Sequence, residues 1–129
     1  MPSRYLYPVI VGLLVLFGGV FVGTRVAVYE AVPYFDSILH AAGGFTVTWF
    51  FSVFYKNYLP SMSRIRRYGI LLGTTAFVGV VWEIAEFISS KFSPGRSDLL
   101  YTYFHGGNLT DTMADLVFDL LGSLIFILL

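Results

Sequence analysis

The sequence contains no cysteine. That excludes disulfides, thiolate nucleophiles and Cys-ligated zinc or iron–sulfur centres, and leaves the compartment open. Charge is scarce as well. Asp, Glu, Lys and Arg make up 12% of the 129 residues, where soluble domains average about a quarter. The eight basic and eight acidic residues cancel, so no charged tail points to nucleic acid or to acidic substrates. There is no low-complexity stretch and no internal repeat.

What the chain has instead is apolar surface, at 57% hydrophobic residues. A soluble domain of this length has too little interior to hide it. The lipid bilayer is then the solvent for most of one domain, residues 1–129. A spanning helix needs about 20 mostly apolar residues, and helices satisfy every backbone group within the segment. Four such stretches are predicted, at about 7–29, 37–55, 68–92 and 109–129. The fold class is therefore all-α, a polytopic bundle of four transmembrane helices. The first run exceeds the usual hydrophobic region of a signal peptide, so it is read as a retained span. Pro33 falls in the connection before the second span, and Ser93-Pro94-Gly95 ends the third.

Lys and Arg placement sets the expected orientation. Arg4, Lys56, Arg64, Arg66 and Arg67 lie on one side, against Arg25, Lys91 and Arg96 on the other. Both termini are expected in the cytoplasm of a cell (inner) membrane protein, with the Ser93–Asn108 loop facing outward.

Eight carboxylates are present, and Glu83, Glu86, Asp111, Asp115 and Asp119 lie inside predicted spans, with Asp36 at the mouth of another. A charge at the bilayer centre costs at least about 2.5–3.5 kcal/mol on insertion scales. Such side chains are expected to face the bundle interior, water, a metal or one another. Their spacing agrees: Asp36 and His40 are four apart, Glu83 and Glu86 three apart, and Asp111, Asp115 and Asp119 form a four-residue ladder. Gly44, Ala76, Gly79 and Gly122 accompany these stripes, and small residues let membrane helices approach closely. The four-span reading brings all three motifs to one depth, in one pocket opening away from the cytoplasm.

Packed carboxylates in a low-dielectric site either hold protons or are neutralised by a cation. This donor set suits a divalent ion, Mg²⁺, Mn²⁺ or Ca²⁺ in preference to Zn²⁺. Expected ligands are Glu83, Glu86, Asp111, Asp115, Asp119 and His40. His40 also has the place of a general base oriented by Asp36, with Arg25 or Arg96 holding a phosphate oxygen. The expected function is metal-dependent hydrolysis or transfer of a lipid-linked or phosphorylated headgroup. Two alternatives stand beside it: a proton- or cation-coupled transporter or channel protomer, and a non-catalytic accessory subunit of a membrane complex. A homo-oligomer or a membrane-complex partner is expected in addition to the lipid bilayer.

Plainer roles exist for single residues. Asp36 is placed for an N-cap, Asp111 for first-turn capping, Arg25 for snorkelling to the interface, and His40 for an interhelical hydrogen bond. Trp49, Trp82 and the tyrosines need no role beyond the interface. No serine sits on a nucleophile elbow, and Glu83-x-x-Glu86 lacks the histidines of a zinc-protease motif.

Three motifs occur in a fixed order: Asp36-Ser-Ile-Leu-His40 with Gly43-Gly44, then Trp82-Glu83-Ile-Ala-Glu86, then Thr110-Asp111-Thr-Met-Ala-Asp115-Leu-Val-Phe-Asp119-Leu-Leu-Gly122. This order resembles the YjdF-like inner-membrane proteins, a family of unassigned function. It is more distantly similar to the VanZ-like family, linked to glycopeptide resistance. The VanZ-like pattern pairs Glu with Gln and ends its ladder in Asn, where this chain has Glu86 and Asp119. The resemblance implies a shared site and no named activity.

Overall fold

The structure, a computed structural model, describes residues 3–19, 21–22, 28–32, 34–92 and 108–129. Helix α1 (Ser3–Leu13) continues into one π-helical turn, Leu14–Gly18. A short helix α2 (Val28–Ala31) follows, then α3 (Phe35–Phe54), a 3₁₀ turn at Leu59–Ser61, α4 (Arg64–Phe92) and α5 (Leu109–Leu128). The architecture is all-helical, with no strand among the described residues.

Helix α3 is the centre of the bundle. It packs most extensively against α5 and also meets α1 and α4, while α4 packs on α5. The expected second and fourth spans match α3 and α5 closely. The third begins earlier than expected: α4 starts at Arg64, so its first turn carries Arg64, Arg66 and Arg67. The expected first span also begins earlier, at Ser3. Its far end, with Arg25, lies outside the described residues, as do residues 93–107 with Arg96.

Helices α3 and α4 are each long and apolar enough to cross a bilayer. Helix α5 also has 20 residues, about 30 Å of rise, but carries three aspartates. Its burial pattern shows how they are arranged. Asp115, Asp119, Gly122 and Ser123 turn inward, while Met113, Val117, Leu121, Leu124, Ile125 and Leu128 are exposed. The same inversion holds elsewhere. Among the described residues the buried hydrophobic side chains are Leu59 and Leu71, whereas nine polar or charged ones are buried. A soluble domain sorts its residues the other way.

The α3–α5 crossing is close because glycine lies on both sides of it. A methyl group at Gly44 would strike the backbone carbonyl of Asp119, and one at Gly122 the carbonyl of Ala41. Gly43, next to Gly44, has open space around the same position. Gly44→Ala and Gly122→Ala should therefore each cost about 1–3 kcal/mol through overpacking, read as a lower thermal midpoint in detergent. Gly43→Ala should leave that midpoint unchanged. Equal midpoints for Gly43→Ala and Gly44→Ala would contradict the close crossing.

Candidate functional site

The acids gather at the end of the bundle where α3 begins, α4 ends and α5 begins. His40, on the second turn of α3, projects towards α5. Its Nδ1 lies 3.3 Å from Asp119 Oδ1, within hydrogen-bond reach, and its Nε2 lies 3.8 Å from Asp115 Oδ1. The imidazole is thus held between two rungs of the aspartate ladder, one helical turn apart. With Nδ1 protonated, the ring donates to Asp119 and presents the Nε2 lone pair towards Asp115. The carboxylate in position to orient His40 is Asp119, where the sequence pointed to Asp36.

Asp36 occupies a different place. Ligand atoms of Asp36, His40 and Asp115 all lie within 4.8 Å of one another. His40 and Asp115 are buried and Asp36 is half-buried. Tyr34 takes the N-cap position of α3 without a side-chain cap bond, so Asp36 stands in the first turn and is not the cap. On α5 the cap is Asn108, whose side-chain oxygen accepts from the backbone N–H of Thr110 at 2.9 Å and of Asp111 at 3.3 Å. Asp111 therefore sits in a first turn that favours negative charge, within electrostatic reach of Asp36, Glu83 and Asp115.

The pair on α4 splits in role. Glu83 is buried, and its Oε1 has no hydrogen-bond partner among the described residues. His40, Asp119 and Asp111 all lie within its electrostatic reach. Glu86 is half-buried and accepts a 2.8 Å hydrogen bond from the indole N–H of Trp82. Trp82 thus has a polar task that its reading as a plain interfacial aromatic missed, although its four-residue spacing from Glu86 was visible. Gly79, one turn before Glu83, makes room for Asp119: a methyl group there would come to 2.5 Å from Asp119 Oδ2.

A second polar cluster, unanticipated in the sequence, lies deeper in the bundle. The Thr48 hydroxyl is 2.8 Å from the Thr75 hydroxyl, 2.7 Å from that of Ser123 and 2.8 Å from the Gly44 carbonyl. A hydroxyl has one proton and a carbonyl can only accept, so Thr48 shares its proton between the Gly44 carbonyl and the Ser123 hydroxyl and accepts from the Thr75 hydroxyl. All three side chains are essentially inaccessible, at 0%, 1% and 0% exposure, so α3, α4 and α5 are tied together away from solvent and lipid. The signal for this knot was available. His40, Gly44 and Thr48 are spaced by four, as are Leu71, Thr75, Gly79 and Glu83, and Asp115, Asp119 and Ser123. The hydroxyls continue the rows that carry the acids.

The fold and site define a class: a helical bundle with an apolar exterior, a polar interior and an acid–histidine cluster at one end. The chain belongs to the family described as predicted membrane proteins (DUF2238), whose model matches residues 3–129. A protein of Thermotoga maritima, itself described only as uncharacterised, is 39% identical over 97 residues, covering 73% of this chain and 46% of its own length. The chain thus spans about half the length of the curated relative it matches. No solved structure matches. Family membership is consistent with the YjdF-like likeness, and the VanZ-like one is not shown.

Thr48→Val should destabilise the bundle by about 0.5–2 kcal/mol, because it strands two buried hydroxyls. The combined Thr48→Val, Thr75→Val and Ser123→Ala variant should recover much of that loss, since no polar partner remains unmatched. Unfolding midpoints in one detergent test this. A triple variant less stable than Thr48→Val by the sum of the other two would rule out a shared hydroxyl knot.

Proposed function

We propose that this chain is a four-span inner-membrane protein that holds a divalent cation at Asp36, His40 and Asp115. The observation that carries the reading is the convergence of those ligand atoms within 4.8 Å at a site where two of the three residues are buried. Two further features support it. The buried Glu83 Oε1 lacks a hydrogen-bond partner among the described residues, and a buried carboxylate oxygen left unpaired is costly unless a proton or cation compensates it. Asp119, beside His40 Nδ1, is placed as the carboxylate that accepts the ring N–H of a metal-binding histidine and fixes its tautomer. Oxygen-dominated donors favour Mg²⁺, Mn²⁺ or Ca²⁺ over Zn²⁺.

Glu83, Glu86 and Asp111 supply additional carboxylates around the three ligands. A cation there would polarise a phosphoryl oxygen and lower the pKa of a bound water. The protein's own part is to orient His40 through Asp119 and to hold the carboxylates away from lipid. The activity proposed is hydrolysis or transfer of a lipid-linked or phosphorylated headgroup. Arg25 is the proposed phosphate contact; it lies outside the described residues.

The four-span topology draws support from α5, whose aspartates turn inward and leave an apolar exterior. The basic residues around the α3–α4 connection support cytoplasmic termini and a site in the outer half. The cysteine-free background makes this directly testable. Ser63→Cys should react with an impermeant maleimide only after the cells are opened, and Ser97→Cys in intact cells. The reverse pattern would invert the site.

A second reading, a proton- or cation-coupled protomer, is favoured by the hydroxyl knot, which extends the polar rows inward from the acids. Elemental analysis of protein purified in mild detergent separates the two. The metal reading expects about one divalent ion per chain, removed by chelator and lost in Asp115→Asn and His40→Gln. No metal in the wild type, together with proteoliposome flux abolished by Asp119→Asn, would replace it with the second reading.

A further inference from the structure

The opposite end of the bundle carries a different chemistry. A recess of about 330 Å³ opens there, lined by Ser52, Lys56, Leu59, Pro60, Arg67, Tyr68, Leu71, Phe126 and Ile127. It contains two cations and no carboxylate. Neither Lys56 nor Arg67 has an ion-pair partner among the described residues. The sequence explains why: no Asp or Glu occurs between Asp36 and Glu83, while Lys56, Arg64, Arg66 and Arg67 all fall in that interval. Both lining cations are half-buried, whereas Arg64 and Arg66 are exposed.

The remaining walls are apolar. Leu59 and Leu71, at 6% and 5% exposure, form the inner floor. Phe126 is anchored edge-on against Phe45 of α3, with ring centroids 5.2 Å apart, so this wall is fixed by the α3–α5 packing. Beside it, Ile125, Leu128 and Leu129 are exposed along the outer face of α5. The recess therefore offers positive charge and an apolar track in one place. A free inorganic anion would use only the charge. An anionic phospholipid would use both, and basic pockets between membrane helices bind such headgroups.

We propose that this recess is a binding site for an anionic phospholipid, with its phosphate between Lys56 and Arg67 and an acyl chain along Phe126 and Ile127. The site is separate from the acid cluster in position, charge and ligand class. It forms from α3, α4, α5 and the 3₁₀ turn, so an occupant also braces the end of the bundle where these elements meet.

The test uses the full chain in nanodiscs of phosphatidylcholine with a minor fraction of phosphatidylglycerol, followed by native mass spectrometry of the released protein. Both leaflets are present, so insertion direction does not affect the result. The wild type should retain phosphatidylglycerol in preference to phosphatidylcholine. Lys56→Gln with Arg67→Gln should reduce that retention about thirtyfold, at roughly fivefold per charge near the surface. Arg64→Gln with Arg66→Gln removes the same charge outside the recess and should leave retention unchanged. Lys56→Arg with Arg67→Lys should preserve it and controls for folding. Equal loss in the two Gln pairs would reduce the effect to diffuse surface attraction and overturn the proposal. So would no preference between the lipids, or complete displacement by millimolar inorganic phosphate.

Discussion

The close approach of α3 and α5 is the constraint on which the rest of the structure depends. Glycine at 44 and at 122 lets each backbone sit against the other's carbonyl groups. That proximity places the His40 ring between Asp115 and Asp119, and Thr48 against Ser123. Widening the crossing by one methyl layer would separate both pairs at once. Packing and polar chemistry are therefore not independent here. In a bilayer, where lipid is as apolar as leucine, helix association draws on close van der Waals contact and interhelical hydrogen bonds, and this crossing supplies both.

Much of this was legible in the sequence because the bilayer simplifies the problem. An apolar run of sufficient length has few alternatives to a helix, so α3 and α5 fall where their hydropathy puts them. Carboxylates inside such runs have to face inward, so spacing set the shared faces of Asp36 with His40 and of Asp115 with Asp119, and the order of the helical runs brought those faces to one depth. What was not legible depended on rotation and side-chain reach. Four-residue spacing links Asp36 to His40 on one helix, yet the carboxylate at His40 Nδ1 comes from α5, because the crossing brings the ladder closer than the helix's own preceding turn. Asp36 looked like a cap, but the helix begins at Tyr34's far side. Asn108, just outside the apolar run, took the capping role on α5 and released Asp111.

The hydroxyl knot illustrates a different limit. Thr48, Thr75 and Ser123 are unremarkable individually, since threonine and serine commonly bond back to their own helix, as Thr46 does to Ala42. Only their shared register with the acids marks them. The row His40–Gly44–Thr48 carries, in order, a titratable group, a close approach and a hydroxyl. Each serves the same interface at a different depth. The knot closes the polar interior below the acids, and Leu71 lies one turn further along the α4 row.

The separation of charge along the bundle has an electrical consequence. Acids collect at one end, and Lys56, Arg64, Arg66 and Arg67 at the other, with no carboxylate between Asp36 and Glu83 to break the gradient. Among the described residues, the acid cluster and this basic group therefore lie at opposite ends of the bundle. An energised membrane exerts about 2.3 kcal/mol per elementary charge per 100 mV across its full thickness. In the proposed four-span topology, a charge change within the acid cluster, whether a proton gained or a cation taken up, does work against or with that field. Membrane voltage is, in that proposed topology, a thermodynamic variable of the cluster's occupancy, on the same footing as the concentration of the proton or cation that occupies it.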